Sequence, residues 1–184
     1  HGHHRRQRQM CIRDRINTGY VFRIKKDKKI FNINASFKNV KSTQLCTTLG
    51  DAYGNTISTV EHILSALYGL DIDNIFIDLN NNEVPVYDGS SKNFVDEIDR
   101  VGVSDQQSFK EYVKILRPIE VSEGKKIARV LPFSYTMFST EINYSNKVIG
   151  KQSISLMLNK DIYRSQICEA RTFGLLRAVS YTHL

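Results

Sequence analysis

Residues 58–88 limit the folds open to this chain more than any other stretch. Val60, Ile63, Leu64 and Leu67 recur at helical spacing and define one apolar face. A few residues later Ile75, Ile77 and Leu79 alternate with Phe76 and Asp78, the two-residue period of a strand. A short helix leading directly into a strand puts both kinds of element in one stretch of the chain. Ser58 followed three residues later by Glu61 is the pattern of a capping box, and Gly69 is a plausible stop. Glu61 and His62 then share the first helical turn, about 100° apart around the axis.

That pair is the one place in the body of the chain suited to chemistry. A neutral imidazole is a common metal ligand, and a carboxylate beside a metal-held water can take its proton. The same residues also read as structure alone: Glu61 completes the capping box, and His62 is a hydrogen-bonded, half-buried side chain. Two histidines four residues apart would mark zinc strongly, and position 66 is Ala. The pair by itself leaves both readings open.

Composition narrows the class. With 184 residues, 41% of them hydrophobic, the chain can fill one core or one core and part of a second. No run is apolar for long enough to span a bilayer, and the start lacks a signal-peptide pattern. Cys11, Cys46 and Cys168 are odd in number and lack metal-ligand spacing, which suits a reduced, cytoplasmic protein. A net charge of +7 would suit nucleic acid, but five arginines against Asp14 give residues 1–15 a net +4, leaving +3 for all the rest. The basic balance is thus partly terminal, and no nucleic-acid partner is expected. Residues 8–14 and 178–184 resemble translated sequencing-adapter read-through, and segments 1–15 and 178–184 are set outside the fold as non-native. A His-rich tag or a nucleic-acid-binding basic arm are the other readings of the start.

Elsewhere, residues 20–24 alternate as a half-buried strand, and 31–33 form a shorter one. Pro85 keeps residues 84–87 at an edge or in a turn. Ser90 or Ser91 caps a second helix whose Phe94, Val95, Ile98 and Val101 face the core. Residues 103–108 are polar and aperiodic, the pattern of a linker. Beyond them the period is two. Residues 112–121 and 126–131 read as a hairpin around Ser122-Glu123-Gly124, 134–142 and 153–158 continue the sheet, and a helix follows over 158–169.

Residues 58–74 (STVEHILSALYGLDIDN) resemble the signature of the UDP-3-O-acyl-N-acetylglucosamine deacetylase family, the zinc amidases of lipid A biosynthesis. Residues 43–49 (TQLCTTL), 83–90 (EVPVYDGS) and 170–176 (ARTFGLL) resemble further segments of that family in the same order. The resemblance implies two similar two-layer sheet/helix domains with the active site between their helix layers. The first, residues 16–104, would lack its opening strands, and the second, residues 105–177, would hold only its N-terminal part.

It also implies zinc-dependent hydrolysis of the acetamide of UDP-3-O-(3-hydroxyacyl)-N-acetylglucosamine, releasing acetate. Glu61 resembles the general base and His62 one of three zinc ligands. The other two, a downstream His-x-x-x-Asp, have no match here, so the chain itself is expected to be inactive. Thr172 resembles the hydroxyl that binds the oxyanion. Phe173 and Asp88 match substrate-binding positions, Asp88 steering the site's electrostatics, and Cys46 matches a cysteine that faces the metal without being required. Without the resemblance these four read as a strand threonine, a core aromatic, a turn residue and a small buried hydrophobe. The partners implied are the UDP-linked acylated sugar and a transient inner-membrane surface, for a cytoplasmic monomer. The competing readings are a zinc amidase acting on another N-acetyl sugar and a non-enzymatic α+β interaction module with a basic arm.

Overall fold

The first unit is organised on a three-stranded sheet. In the computed structural model residues 16–26 and 29–172 are described, together with the backbone alone of residues 6–9. The chain divides into two units, residues 1–110 with 163–184 and residues 111–162. Along the first run β1 (Arg6–Gln9), β2 (Tyr20–Lys26), β3 (Lys29–Asn34), β4 (Val40–Ser42), β5 (Thr48–Gly50), β6 (Thr56–Ile57), α1 (Glu61–Gly69), β7 (Ile75–Leu79), α2 (Lys92–Val101) and β8 (Ser104–Phe109).

Strand β2 is central. β3 pairs with it antiparallel on one side and β7 parallel on the other, with Tyr20 opposite Ile75 and Ile24 opposite Leu79. A parallel neighbour needs a crossover connection rather than a tight turn, and α1 lies in that crossover. Phe22 is wholly buried, and Val21 and Ile24 nearly so. Phe22 and Ile24 lie on the sheet face that also carries Ile33, Ile75 and Ile77, while Val21 is buried on the opposite face; Leu67, Val95 and Ile98 of the helices are buried too. α1 packs beside α2. β4, β5 and β6 form a separate meander that leads into α1. On the solvent side of the main sheet, Arg23 lies over the Phe76 ring, 4.6 Å from its centroid, and makes two hydrogen bonds to Asp78 at 2.5 and 2.6 Å.

The helical and strand periods of residues 60–79 are realised as expected, with adjustments. In α1 the deepest side chains are Ala66 and Leu67, while Ile63 and Leu64 are half-buried. Gly69 is needed for close packing, because a Cβ there would overlap the Tyr163 ring. The left-handed residue that turns the chain is Asp71, at φ 61°. In α2, Val101 is exposed rather than in the core, because the helix ends there and Gly102 takes φ 82°.

Residues 103–108, expected as a linker, are mostly strand β8, antiparallel to β1. The strand hides in the sequence because its buried position is polar. Gln106 accepts a hydrogen bond from Asn74 Nδ2 at 2.7 Å, and Asn74 Oδ1 accepts one from the Gly19 amide at 2.9 Å. These bonds give both buried amides polar partners, as buried polar groups require. The pairing also uses the backbone of residues 6–9, which the sequence pattern set outside the fold.

Just past β8, Lys110 pairs with Asp71 and, at 2.7 Å, with Asp73. The Tyr20 hydroxyl donates to the Ile72 carbonyl at 2.7 Å in the same turn. Burial, then the Asp73 and Asp71 charges, push the Tyr20 phenol well above its usual range. Burial pulls the Lys110 ammonium down, but the two carboxylates outweigh it and the net shift is upward. Both groups hold their protons longer when folded. Their contribution is therefore full below the unfolded values of about 10 and is lost as pH rises through the folded ones. Denaturant midpoints should be flat to about pH 9 and fall steeply above about pH 10. Tyr20→Phe should make that alkaline limb shallower; an unchanged limb would remove Tyr20 from the account.

The second unit contains β9 (Ile119–Glu123), β10 (Lys126–Val130), β11 (Met137–Asn143) and β12 (Lys151–Met157), paired as two antiparallel hairpins. β9 starts after Pro118 rather than at residue 112, since proline gives no N–H to a ladder. Register places Ile119, Val121, Ala128 and Val130 on one face of the first hairpin, and Phe138, Ile142, Ile154 and Leu156 on one face of the second. The expected helix over 158–169 is instead a single turn, Lys160–Ile162, followed by a π-helical turn, Tyr163–Ile167. The fold class is α+β. No described helix is long and apolar enough to cross a membrane.

Candidate active site

The approach to α1 is pinned from two sides. The Ser58 amide donates to the Asn82 carbonyl at 2.9 Å, its own carbonyl accepts from the Val84 amide at 3.1 Å, and its hydroxyl accepts from Thr48 Oγ1 at 3.3 Å. The expected capping box therefore does not form. The N-cap position falls on Val60, which has no capping side chain, because the Ser58 backbone is engaged in a bridge to Glu83. The Glu61 carboxylate accepts instead from the Thr47 amide at 3.2 Å. Between them Thr59 is buried at φ 59°, a conformation that costs a β-branched residue strain. Its hydroxyl, donating to Glu83 Oε1 at 2.9 Å, helps to hold it there.

The 43–49 segment thus meets α1 at Glu61, through Thr47. Cys46 is half-buried beside it, its sulfur 3.9 Å from Thr48 Oγ1. Leu45, next in line, is exposed and also takes a positive φ, 67°.

The 83–90 segment meets the approach to α1 through Glu83 and Val84, and the residue after it, Ser91, meets α1 at His62. After Val84 the chain turns through Tyr87 (φ 52°) and Gly89 (φ 83°), and Tyr87 packs edge-on against Phe94 at 5.1 Å. Asp88 is exposed. Its Oδ1 accepts from the Ser90 hydroxyl at 2.7 Å and the Ser90 amide at 3.1 Å, and its Oδ2 from Arg171 Nε at 3.2 Å. The Ser90 hydroxyl first, then its amide and the Arg171 guanidinium, hold this carboxyl below the usual range. Ser91 Oγ donates to the His62 carbonyl at 3.0 Å.

The 170–176 segment meets the same turn. The Thr172 amide donates to the Gly89 carbonyl at 2.9 Å, and Thr172 Cγ2 lies against Gly89. Thr172 itself is exposed. Phe173 lies outside the described residues.

Asp88 and Thr172 are therefore brought together, the His62 backbone carbonyl is held by Ser91 just beyond that turn, and the Glu61 carboxylate is held by Thr47. Thr47, Ser91 and Arg171 are contributors that residue type alone did not mark. Ser91 was legible only as a cap, and a backbone donor such as Thr47 leaves no trace in composition. Among the described residues no group of three or more His, Cys, Asp and Glu side chains could hold a metal. His62 can offer one donor, and a catalytic zinc takes three protein ligands.

The family model for UDP-3-O-acyl N-acetylglycosamine deacetylase (LpxC) matches residues 3–183. The match includes parts of both terminal segments set aside above. A UDP-3-O-acyl-N-acetylglucosamine deacetylase of Campylobacter hominis is 42% identical over 163 residues, covering 89% of this chain and 54% of the relative. Proteins of the same name from Syntrophus aciditrophicus and Legionella pneumophila are 40% and 41% identical, covering 81% and 88% of this chain and 47% and 53% of theirs. The chain spans about half the length of the curated relatives it matches. It belongs to the UDP-3-O-acyl-N-acetylglucosamine deacetylase family.

Proposed function

We propose that the whole protein hydrolyses the acetamide of UDP-3-O-(3-hydroxyacyl)-N-acetylglucosamine, releasing acetate, in lipid A biosynthesis in the cytoplasm of a Gram-negative bacterium. The observation that carries this reading is the meeting of all four motif segments around one helix start. Thr47 binds Glu61, Ser91 binds the His62 carbonyl, and Arg171 and Thr172 bind the Asp88-Gly89 turn.

In this reading Glu61 is the general base that takes the proton of the attacking water, its carboxylate held by the Thr47 amide. The Thr172 hydroxyl donates to the oxyanion of the tetrahedral intermediate, a contribution typically of about a hundred- to a thousandfold in rate. Phe173 and Asp88 contact the sugar or nucleotide, Asp88 as a fixed negative charge. His62 is one zinc ligand. Zinc, when bound, supplies a Lewis acid for the carbonyl and an acidified water. The described residues offer one ligand of three, so the chemistry assigned to them is proton transfer and hydrogen bonding alone.

A chimera completing this chain with the uncovered part of the Campylobacter hominis relative should release acetate from the UDP-acyl-sugar. Chelation should abolish the release and zinc restore it. No acetate under zinc-replete conditions would overturn the reading. The 184-residue chain alone should bind zinc weakly and release none; tight, stoichiometric zinc would overturn the one-ligand assignment.

A further inference from the structure

Outside residues 1–15, the whole net charge of the chain sits where β2 passes into β3. Residues 16–184 carry +3, and residues 25–29 (KKDKK) alone carry +3, four lysines against Asp27. Asp27 and Lys28 cancel, so Lys25, Lys26 and Lys29 account for all of it. All three are exposed. No carboxylate among the described residues pairs with them, and Arg23, the next cation along β2, is already given to Asp78.

The strands place this charge at an overhang. β7 follows β2 only as far as Ile24, opposite Leu79, and beyond that point β2 and β3 run on as a two-stranded ribbon. There Lys25 faces Ile30 and Lys26 faces Lys29 across the ladder. Like charges directly opposite each other destabilise a strand pair. Lysines also guard sheet edges against stray pairing, but an opposed lysine and carboxylate would guard this one without the repulsion. Ile30, beside Lys29 and opposite Lys25, is 62% exposed.

Cations around a branched aliphatic side chain fit an anionic lipid surface. The ammonium groups meet phosphate headgroups, and the aliphatic group enters the boundary beneath them. Nucleic acid fits less well, because bases stack on aromatic side chains, and Phe31, the aromatic residue next to Ile30, is half-buried opposite Ile24. We propose that Lys25, Lys26, Lys29 and Ile30 form a docking surface for an anionic phospholipid membrane. The inference goes beyond the deacetylase reading and does not depend on it, and its test uses no turnover.

Co-sedimentation of the 184-residue chain with vesicles of phosphatidylglycerol and phosphatidylcholine at low salt gives the readout. Residues 1–15 bring a charge of their own, so the reference chain carries Arg5→Gln, Arg6→Gln, Arg8→Gln, Arg13→Gln and Arg15→Gln. Adding Lys25→Gln, Lys26→Gln and Lys29→Gln should weaken its binding about a hundredfold, at roughly fivefold for each lysine, to the level seen with phosphatidylcholine alone. Ile30→Ser should weaken binding severalfold and leave its salt dependence unchanged, the mark of an apolar contact. Lys26→Glu separates loss of the surface from loss of the fold. It puts a carboxylate opposite Lys29, so it should raise the urea midpoint while lowering vesicle binding. A fall in both, or binding that survives the triple lysine change, would overturn the proposal. So would single-stranded RNA binding that is tighter than vesicle binding and indifferent to Ile30→Ser, which would make the ribbon a nucleic-acid site.

Discussion

Glu61→Gln should lower acetate release by the completed enzyme by about a hundred- to ten-thousandfold, the range that general-base catalysis contributes. The substitution is nearly isosteric. Glutamine's amide oxygen can still accept from the Thr47 amide that now holds the carboxylate at 3.2 Å. The 43–49 segment and the start of α1 should therefore keep their places, and only the ability to take a proton is lost. The loss should lie in kcat, with KM near the parental value, since a base acts in the transition state rather than in binding. Measuring both constants in the chimera decides the matter. A parental kcat would exclude Glu61 as the base. A raised KM with unchanged kcat would make it a binding residue.

The second large effect is on stability. Phe22→Ala should destabilise the first unit by about 3–5 kcal/mol, the usual penalty for emptying a large aromatic site in a core. Phe22 is wholly buried in the central strand, flanked by Ile33 of β3 opposite it and Ile77 of β7 in parallel register. Backbone pairing on both sides keeps the sheet from closing over the hole, so little of the loss can be recovered by collapse. Urea unfolding followed by far-ultraviolet circular dichroism should show the midpoint falling with little change in slope. A loss below about 1 kcal/mol would mean that the sheet is not the core of this unit.

Residues 60–79 were legible because each element has its own period and buries apolar side chains. Val60, Leu67, Ile75 and Ile77 are all buried where the pattern puts them. β8 was not legible, because its buried position is Gln106, and a polar residue satisfied by Asn74 looks the same in sequence as one satisfied by water. The capping box failed for a related reason. The Ser58 amide is already given to Asn82, so it has no proton left for the Glu61 carboxylate, which accepts from Thr47 instead. Both contacts bring in residues ten or more positions away, which local pattern cannot see. The acid and imidazole of α1 stood out by type. Their supports, Thr47 and Ser91, did not, because one acts through its amide and the other through a hydroxyl placed by a distant turn.

The π-helical turn at Tyr163–Ile167 makes the length of this segment matter as much as its chemistry. Its wide winding, closed by the bond from the Cys168 amide to the Tyr163 carbonyl, brings both residues inward where ordinary α-helical winding would not. Removing or adding a single residue there would rotate everything downstream by about 100°. Arg171 and Thr172 would swing off the Asp88-Gly89 turn with no side chain altered. An indel of one codon would therefore disturb more here than a substitution at an exposed position such as Gln166.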